Sequence, residues 1–424
     1  MTTFDVDVHQ NEYLAIGATG VSAVVRITAS GSGPAASAPS SASEIIIVDV
    51  SGSMAHPQAK IRAARDATVA AIKCIGDGVH FAVIAGSSTA QQVYPGDGVL
   101  AVASGDTRSA ATRAVQGLRA AGGTVIANWL RAADDLFATQ PRSINHAILL
   151  TDGKDEAPDL LGPTLAACEG RFQCDCRGVG ADWDVDQLRE VASALLGDLG
   201  LVRRPDDLAT DFSELMRSAM ARGVPDVGLR IWTPQTASVA FLKQVAPAIE
   251  DLTGRKAVVS DRIGDYPTGA WSDEARDYHL WIDVPPREVD EEMLAARVSV
   301  VVGDAIVAEG KVRAVWTADE ALSTRLNPHV VRSTGHEDYA VAVQRGVAAL
   351  RDGDEQTATT NLGRAAQIAA ALRDNAKLEE VARVVHIEDA DRGTVRLKRN
   401  LDDLDVMELH TNSTRTVRIR STSQ

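Results

Sequence analysis

Polar oxygen-bearing side chains follow the apolar run IIIV at the segment Asp49 to Ser53. Asp49, Ser51 and Ser53 come at two-residue steps, and Gly52 between the serines allows a sharp turn. A continuous apolar run is typical of a parallel strand that is buried on both faces. The carboxyl ends of such strands open onto the ligand crevice of an α/β sheet. We therefore expect one carboxylate and two hydroxyls to converge on a single point in that crevice.

Two further segments supply groups of the same kind. Thr124 ends the sequence GGT before a predicted helix, on a loop that we expect to be flexible, and Asp152 follows the apolar run in LLTDG. Taken alone, an aspartate and serines after a strand are ordinary turn formers and helix caps. Together, two carboxylates and three hydroxyls predict an all-oxygen site for a hard divalent cation, Mg²⁺ above all, with Mn²⁺ and Ca²⁺ as alternatives.

The segment from Glu44 to Gly223 resembles a von Willebrand factor type A domain. The metal-ion-dependent adhesion site of that family is matched by the ordered set Asp49, Ser51, Ser53, Thr124 and Asp152. The resemblance implies that the two serines coordinate the metal directly and that the two aspartates act largely through bound water. It also implies that the threonine joins in the ligand-competent state and that an Asp or Glu of a partner protein completes the coordination.

Catalysis is the competing interpretation of these residues. Metal-assisted hydrolysis needs a general base or a second metal near the first. His56 and Lys60 are close in sequence, but His56 starts a predicted helix and Lys60 fits a solvated helical face. The sequence contains no H-x-x-x-H, no G-x-S-x-G and no phosphate-binding loop. We therefore expect a binding protein and not an enzyme.

Length and charge narrow the class of protein further. A chain of 424 residues exceeds what one hydrophobic core usually organises, so several domains are expected. Its formal charge of −15 disfavours nucleic acid and anionic membranes as partners. There is no leader-like start and no apolar run long enough to span a bilayer, and the chain has only four cysteines. These features predict a cytoplasmic protein.

The hydrophobic pattern predicts how the elements are arranged. Strands and helices alternate from Glu44 to Gly223, which indicates a doubly wound α/β domain with a parallel sheet. Two strands in Phe4 to Ser30 and five after Gly223 would make a β-sandwich of about seven strands into which that domain is inserted. The predicted segments are 1–30 for the first sandwich strands, 31–43 for a linker, 44–223 for the α/β domain, 224–318 for the remaining sandwich, 328–390 for a helical segment and 391–424 for a tail.

Three weaker signals carry expectations of their own. Cys168, Cys174 and Cys176 are interpreted as core residues in preference to a soft-metal or redox site. The acidic run Asp155, Glu156 and Asp159 is interpreted as a solvated loop. The pieces TVRLKR and TVRIR of the tail are interpreted as edge strands.

These observations lead to a functional hypothesis. The chain is expected to be a bacterial, divalent-metal-dependent scaffold that recognises an acidic side chain of a partner, in systems of the stress or tellurite-resistance type. The alternative is a subunit of an ATP-driven metal-insertion or remodelling complex. The missing signal sequence and the sparse cysteines disfavour a secreted adhesin. The sequence leaves the oligomeric state open.

Overall fold

The computed structural model describes residues 2–31, 42–140 and 144–416. The chain forms two compact units, one made of Met1–Gly31, Asp226–Thr268 and Asp273–Gln424, and the other of Ser32–Pro225 and Gly269–Ser272. The second unit therefore interrupts the first along the chain. Most of the predicted linker, residues 32–41, lies outside the described residues.

The first unit begins with three strands: β1 (Thr3–Gln10), β2 (Tyr13–Ala15) and β3 (Gly20–Ser30). The α/β unit follows with seven strands, β4 (Ala42–Asp49), β5 (His80–Gly86), β6 (Ala90–Tyr94), β7 (Ala101–Val102), β8 (Ile144–Thr151), β9 (Gln173–Val179) and β10 (Leu199–Val202). Its helices are α1 (Ala59–Cys74), α2 (Gly105–Gln116), α3 (Ile126–Phe137), α4 (Pro158–Cys168), α5 (Val185–Ala194) and α6 (Leu208–Met220).

The sheet of the α/β unit has the strand order β10-β9-β8-β4-β5-β6, and β7 also pairs with β5. The pairs from β10 through β5 are parallel, whereas β6 and β7 run antiparallel to β5. All eight residues of the central strand β4 are buried, as the apolar run predicts. On one face Ile46 and Val48 pack in a core that includes Ile72 of α1 and Met216 of α6. The predicted doubly wound α/β domain is confirmed.

The sandwich resumes after the α/β unit with β11 (Val227–Trp232), β12 (Ser238–Ala246), β13 (Glu250–Asp251), β14 (Ala257–Ser260), β15 (Ile263–Pro267), β16 (Glu274–Asp283), β17 (Glu292–Val302) and β18 (Ala305–Thr317). One sheet has the order β1-β3-β16-β12-β13 and the other β14-β15-β11-β17-β18-β2. The ladder between β3 and β16 runs from Gly20 opposite Asp283 to Ala29 opposite Glu274, so strands from both sides of the insertion pair directly. This pairing confirms that the α/β domain is inserted into a β-sandwich.

The sandwich differs from the predicted one in two details. Its sheets contain eleven strands in the described residues, where about seven were predicted. The strands that were overlooked have only two to five residues, and all four residues of β14 are exposed, so none of them offers a run of apolar and polar residues long enough to identify a strand. The sheets are antiparallel except for the pair β18 and β2, which is parallel.

The C-terminal part is helical, as predicted, with α7 (Glu320–Ser323), α8 (Pro328–Arg351), α9 (Glu355–Ala371), α10 (Asn375–Val384), β19 (Val385–Asp389), β20 (Thr394–Leu397) and α11 (Asp403–Asn412). Val343 and Val347 of α8 share a core with Leu362 and Ala366 of α9. The piece TVRLKR contains β20, which pairs with β19. The piece TVRIR begins at Thr416, and the rest of it lies outside the described residues. Helix α11 was not predicted, so the C-terminal segment is more than a tail.

No helix in the described parts of the chain combines the length and the apolar character needed to cross a bilayer.

Candidate functional site

The first part of the site is the turn that follows β4. Asp49 is the last residue of β4, and a short 3-10 helix, Gly52–Ala55, begins three residues later. The backbone N–H of Ser51 donates a hydrogen bond of 2.7 Å to Asp49 Oδ1, which closes the turn. Asp49 and Ser51 are buried, whereas Ser53 is exposed. The turn therefore exposes Ser53 to solvent and keeps Asp49 buried.

Asp152 joins this turn from the neighbouring strand. Ser51 Oγ and Ser53 Oγ are 2.9 Å apart, and Ser53 Oγ donates a hydrogen bond of 2.6 Å to Asp152 Oδ1. Thr151 Oγ1 donates a hydrogen bond of 2.5 Å to Asp49 Oδ2. Thr151 was not singled out from the sequence, although its place at the end of β8, directly before Asp152, is the signal that could have found it.

Thr124 completes the set from the loop before α3. A Cβ atom added at Gly153 would lie 3.2 Å from Thr124 Oγ1, 3.4 Å from Ser53 Oγ and 4.0 Å from Asp49 Oδ2. Three oxygen-bearing side chains from three segments therefore face one small space beside Gly153. The hydrogen bonds of Ser53 connect this space to Ser51 and Asp152 as well. We call the five predicted residues, which the fold brings together, the oxygen cluster.

The loop that carries Thr124 is held in place by its neighbours. The backbone N–H of Gly52 donates to Gly122 O at 2.8 Å, and that of Ala121 donates to Val50 O at 2.7 Å. Gly122 has φ of +88°, a conformation that favours glycine. We expected a flexible loop, but movement of Thr124 away from the cluster would have to break these hydrogen bonds or move their partners along with the loop.

The oxygen cluster fits a divalent cation. Carboxylate and hydroxyl oxygens are the ligands that hard divalent cations prefer. Burial raises the pKa of Asp49 to about 6, even though hydrogen bonds from Ser51 and Thr151 oppose this effect. In the part of the chain that the structure describes, Asp49 makes no salt bridge, and no cation is among the groups that shift its pKa. A bound cation would supply the opposite charge.

Lys60 was predicted on a solvated helical face, and this prediction was wrong. Its side chain is only 14% exposed, and its Nζ lies 2.7 Å from Asp152 Oδ2 and 3.3 Å from Asp182 Oδ2. Burial by itself lowers the pKa of Lys60, but Asp152 and Asp182 outweigh it, so the pKa is raised. The two acidic partners are 92 and 122 residues away in sequence, and helical periodicity cannot reveal a contact over that distance.

The acidic run after Asp152 is not uniformly solvated, as we had expected. Glu156 and Asp159 are exposed, but Asp155 is buried and its Oδ1 accepts a hydrogen bond of 3.0 Å from the backbone N–H of Ile126 at the start of α3. The backbone N–H of Glu156 donates to Thr124 O at 2.8 Å. This segment therefore anchors the Thr124 loop and the first turn of α3.

The cysteines behave as core residues. Cys168, Cys174 and Cys176 are buried free thiols, and burial raises the pKa of Cys168 to about 11, so it stays protonated. Within the ranges that the structure describes, no group of three or more His, Cys, Asp or Glu side chains is placed to hold a metal ion. The three thiols therefore do not form a metal site there. The oxygen cluster contains only two such side chains, Asp49 and Asp152, because its other three members carry hydroxyls.

Ser22 and His279 of the sandwich form, with Glu337 of α8, a chain that resembles a catalytic triad. Ser22 Oγ lies 2.8 Å from His279 Nε2, and His279 Nδ1 lies 2.6 Å from Glu337 Oε1. However, Ser22 is only 7% exposed, and β3 is paired on both sides, so its backbone N–H groups are not free to stabilise an oxyanion. Glu337 also binds Lys243 at 2.8 Å. We interpret this network as the attachment of α8 to the sheet.

Comparison with known proteins agrees with this fold. The family model for a von Willebrand factor type A domain matches residues 43–199, and the model for a von Willebrand factor type A C-terminal domain matches residues 374–413. A solved structure of a von Willebrand factor type A protein from Catenulispora acidiphila is 43% identical, with a TM-score of 0.93, and the match covers 98% of this chain and 97% of that one. No curated protein sequence matches significantly.

A more distant structure shows the fold alone. The ArnB paralog VWA2 from Sulfolobus acidocaldarius is 15% identical, with a TM-score of 0.61, and the match covers 97% of this chain and 98% of that one. The fold and the site define a von Willebrand A protein with a sandwich and a helical extension. The near full-length match at 43% identity shows that the chain belongs to the von Willebrand factor type A family.

Proposed function

We propose that this chain is a divalent-metal-dependent protein-interaction scaffold whose oxygen cluster binds the metal and an Asp or Glu of a partner protein. The observation that supports this most is the convergence of Asp49, Ser53 and Thr124 oxygens on the space beside Gly153. Von Willebrand A domains commonly bind a divalent metal at this motif and contact other proteins through it. Mg²⁺ is the proposed ion, with Mn²⁺ and Ca²⁺ as alternatives.

The residues of the cluster have different roles in this proposal. Ser51 and Ser53 supply neutral oxygens from one short turn, and Asp49 and Asp152 supply the negative charge that retains the ion. Thr124 supplies the oxygen nearest to Gly153 and determines how completely the site is formed. The bound ion would act as the electrophile that attracts the carboxylate of the partner.

Recognition without catalysis fits the surroundings of the cluster. Lys60 is held by two carboxylates, and this ion pairing keeps it protonated and unsuited to act as a general base. The four cysteines are free, in keeping with the proposed cytoplasmic location. We therefore propose a binding protein and not an enzyme.

The test compares metal binding and partner capture in the same variants. Thr124→Ala removes one neutral oxygen, so we expect Mg²⁺ affinity to fall by about tenfold or less while capture of the partner from a lysate falls further. Calorimetry measures metal binding, and pull-down with and without chelator measures capture. Thr360→Ala, an exposed threonine on α9, is the matched control.

Two outcomes would contradict the proposal. One is wild-type protein that binds no divalent metal at millimolar concentration. The other is equal capture by wild type, Thr124→Ala and chelator-treated protein, which would move the interaction surface away from the oxygen cluster.

A further inference from the structure

Lys60 brings a positive charge to the edge of the oxygen cluster. Its ammonium binds one carboxylate oxygen of Asp152, while the other oxygen of Asp152 accepts from Ser53. The Lys60 side chain is only 14% exposed, so solvent screens this charge less than that of an ordinary surface lysine. The chain therefore places a cation of its own beside a site that is proposed to hold a metal cation.

The charge of Lys60 changes the net charge of the oxygen cluster. Asp49 and Asp152 contribute two negative charges, the three hydroxyls contribute none, and Lys60 offsets one of the two. Asp182, the second partner of Lys60, is 75% exposed, so solvent screens most of its charge. With a divalent ion, the cluster and Lys60 then sum to one positive charge, whereas without Lys60 the same ion would leave the cluster neutral. A positive site attracts an external carboxylate, and a neutral one does so less.

We propose that Lys60 determines the balance between metal affinity and carboxylate selectivity at this site. Its charge weakens the binding of the divalent ion and strengthens the subsequent binding of an acidic ligand. This inference rests on the proposed function and names the residue that makes the metal-loaded site selective for an anion over a neutral ligand.

A purely structural role for Lys60 predicts something different. If Lys60 only holds Asp152 in position, removing it should weaken metal binding and carboxylate binding together. If its charge matters, the two affinities should move in opposite directions. Lys60→Gln is the decisive variant because it removes the charge and keeps a hydrogen-bond donor for Asp152. Lys60→Arg keeps both.

The experiment measures metal alone and then metal with a simple carboxylate on the full chain. Mn²⁺ binding is measured by calorimetry, and acetate binding to the Mn²⁺-loaded protein by the water-proton relaxation of the ion, with acetamide as the neutral probe. For Lys60→Gln we expect Mn²⁺ to bind about tenfold more tightly and acetate several-fold more weakly, with acetamide unchanged. Lys60→Arg should match wild type.

Lys73→Gln is the matched control, because Lys73 is an exposed lysine in the last turn of the same helix. A Lys60→Gln protein in which both affinities fall, or neither changes, overturns this inference while the proposed function stands. Wild-type protein that binds no Mn²⁺ overturns the proposed function and this inference with it. Lys60→Met, which also removes the donor, shows whether the hydrogen bond contributes separately.

Discussion

Two groups of carboxylates lie toward opposite ends of the parallel strands in the α/β unit. Near the amino ends, Glu44 of β4 and Asp175 of β9 bind the two nitrogens of His146 of β8, at 2.7 and 2.9 Å. All three side chains are buried. At the carboxyl ends, Asp49 and Asp152 belong to the oxygen cluster. The two groups differ in where their positive charge comes from.

The amino-end group carries its cations within the chain. Burial by itself lowers the pKa of His146, but Glu44 and Asp175 outweigh it, so the pKa is raised and the charged ring is favoured. Burial by itself raises the pKa of Asp175, but Arg222, 3.3 Å away, together with His146 and Arg177, brings it well below its usual value. This group needs no further partner, and we regard it as structural.

At the carboxyl ends the balance is different. Lys60 neutralises part of the charge of Asp152. At Asp49 the effect of burial outweighs that of the hydrogen bonds and raises the pKa to about 6. Buried carboxylates whose charge the chain itself compensates are typical of a structural network. A buried carboxylate that lacks such compensation, surrounded by hydroxyls at a sheet edge where ligands bind, indicates a site for a cation.

The largest effect is expected at the amino-end group. Asp175→Ala would leave Arg222 without this acidic partner and His146 with Glu44 alone, and breaking a buried ion pair in this way costs about 3–5 kcal/mol. Hydrogen exchange of β8 and β9 measures the loss of stability in this unit. Metal binding should persist wherever the unit stays folded. A loss of stability below about 1 kcal/mol would show that this group does not hold the sheet together.

Asp49→Asn should produce the opposite result. The amide can still accept from Ser51 and can donate to Thr151, so the unfolding free energy should be unchanged or slightly higher because a poorly compensated buried charge is removed. Mg²⁺ affinity should fall by about 10–100-fold or more. Calorimetry and thermal unfolding measure the two quantities. A large loss of stability with unchanged metal binding would reverse the comparison.

The smallest effect is a dependence of stability on pH. Because the folded-state pKa of His146 is raised above the unfolded value of about 6.5, its contribution is fully present below that pH and is lost as pH rises through the folded-state pKa. The slope should not exceed about 1.4 kcal/mol per pH unit for one proton. Hydrogen exchange of β8, corrected for intrinsic rates, should show this slope in wild type. A His146→Gln protein that keeps the slope would assign it elsewhere.

The sequence alone determined the α/β class and the location of the candidate site. The continuous apolar runs of β4 and β8 can only be buried between two layers, and the polar residues directly after them must then lie at the carboxyl edge of the sheet. Local pattern was sufficient because each of these signals spans fewer than about ten residues.

Tertiary structure alone decided what neutralises each buried charge. Lys60 meets Asp152 across 92 residues, and His146 meets Glu44 across 102 residues. From the sequence, Lys60 looked like a solvated lysine and His146 carried no signal, because periodicity reports which face of an element is apolar and not which distant element covers it. Short exposed strands such as β14 were missed for a related reason, since backbone pairing holds them in place without an apolar pattern of their own.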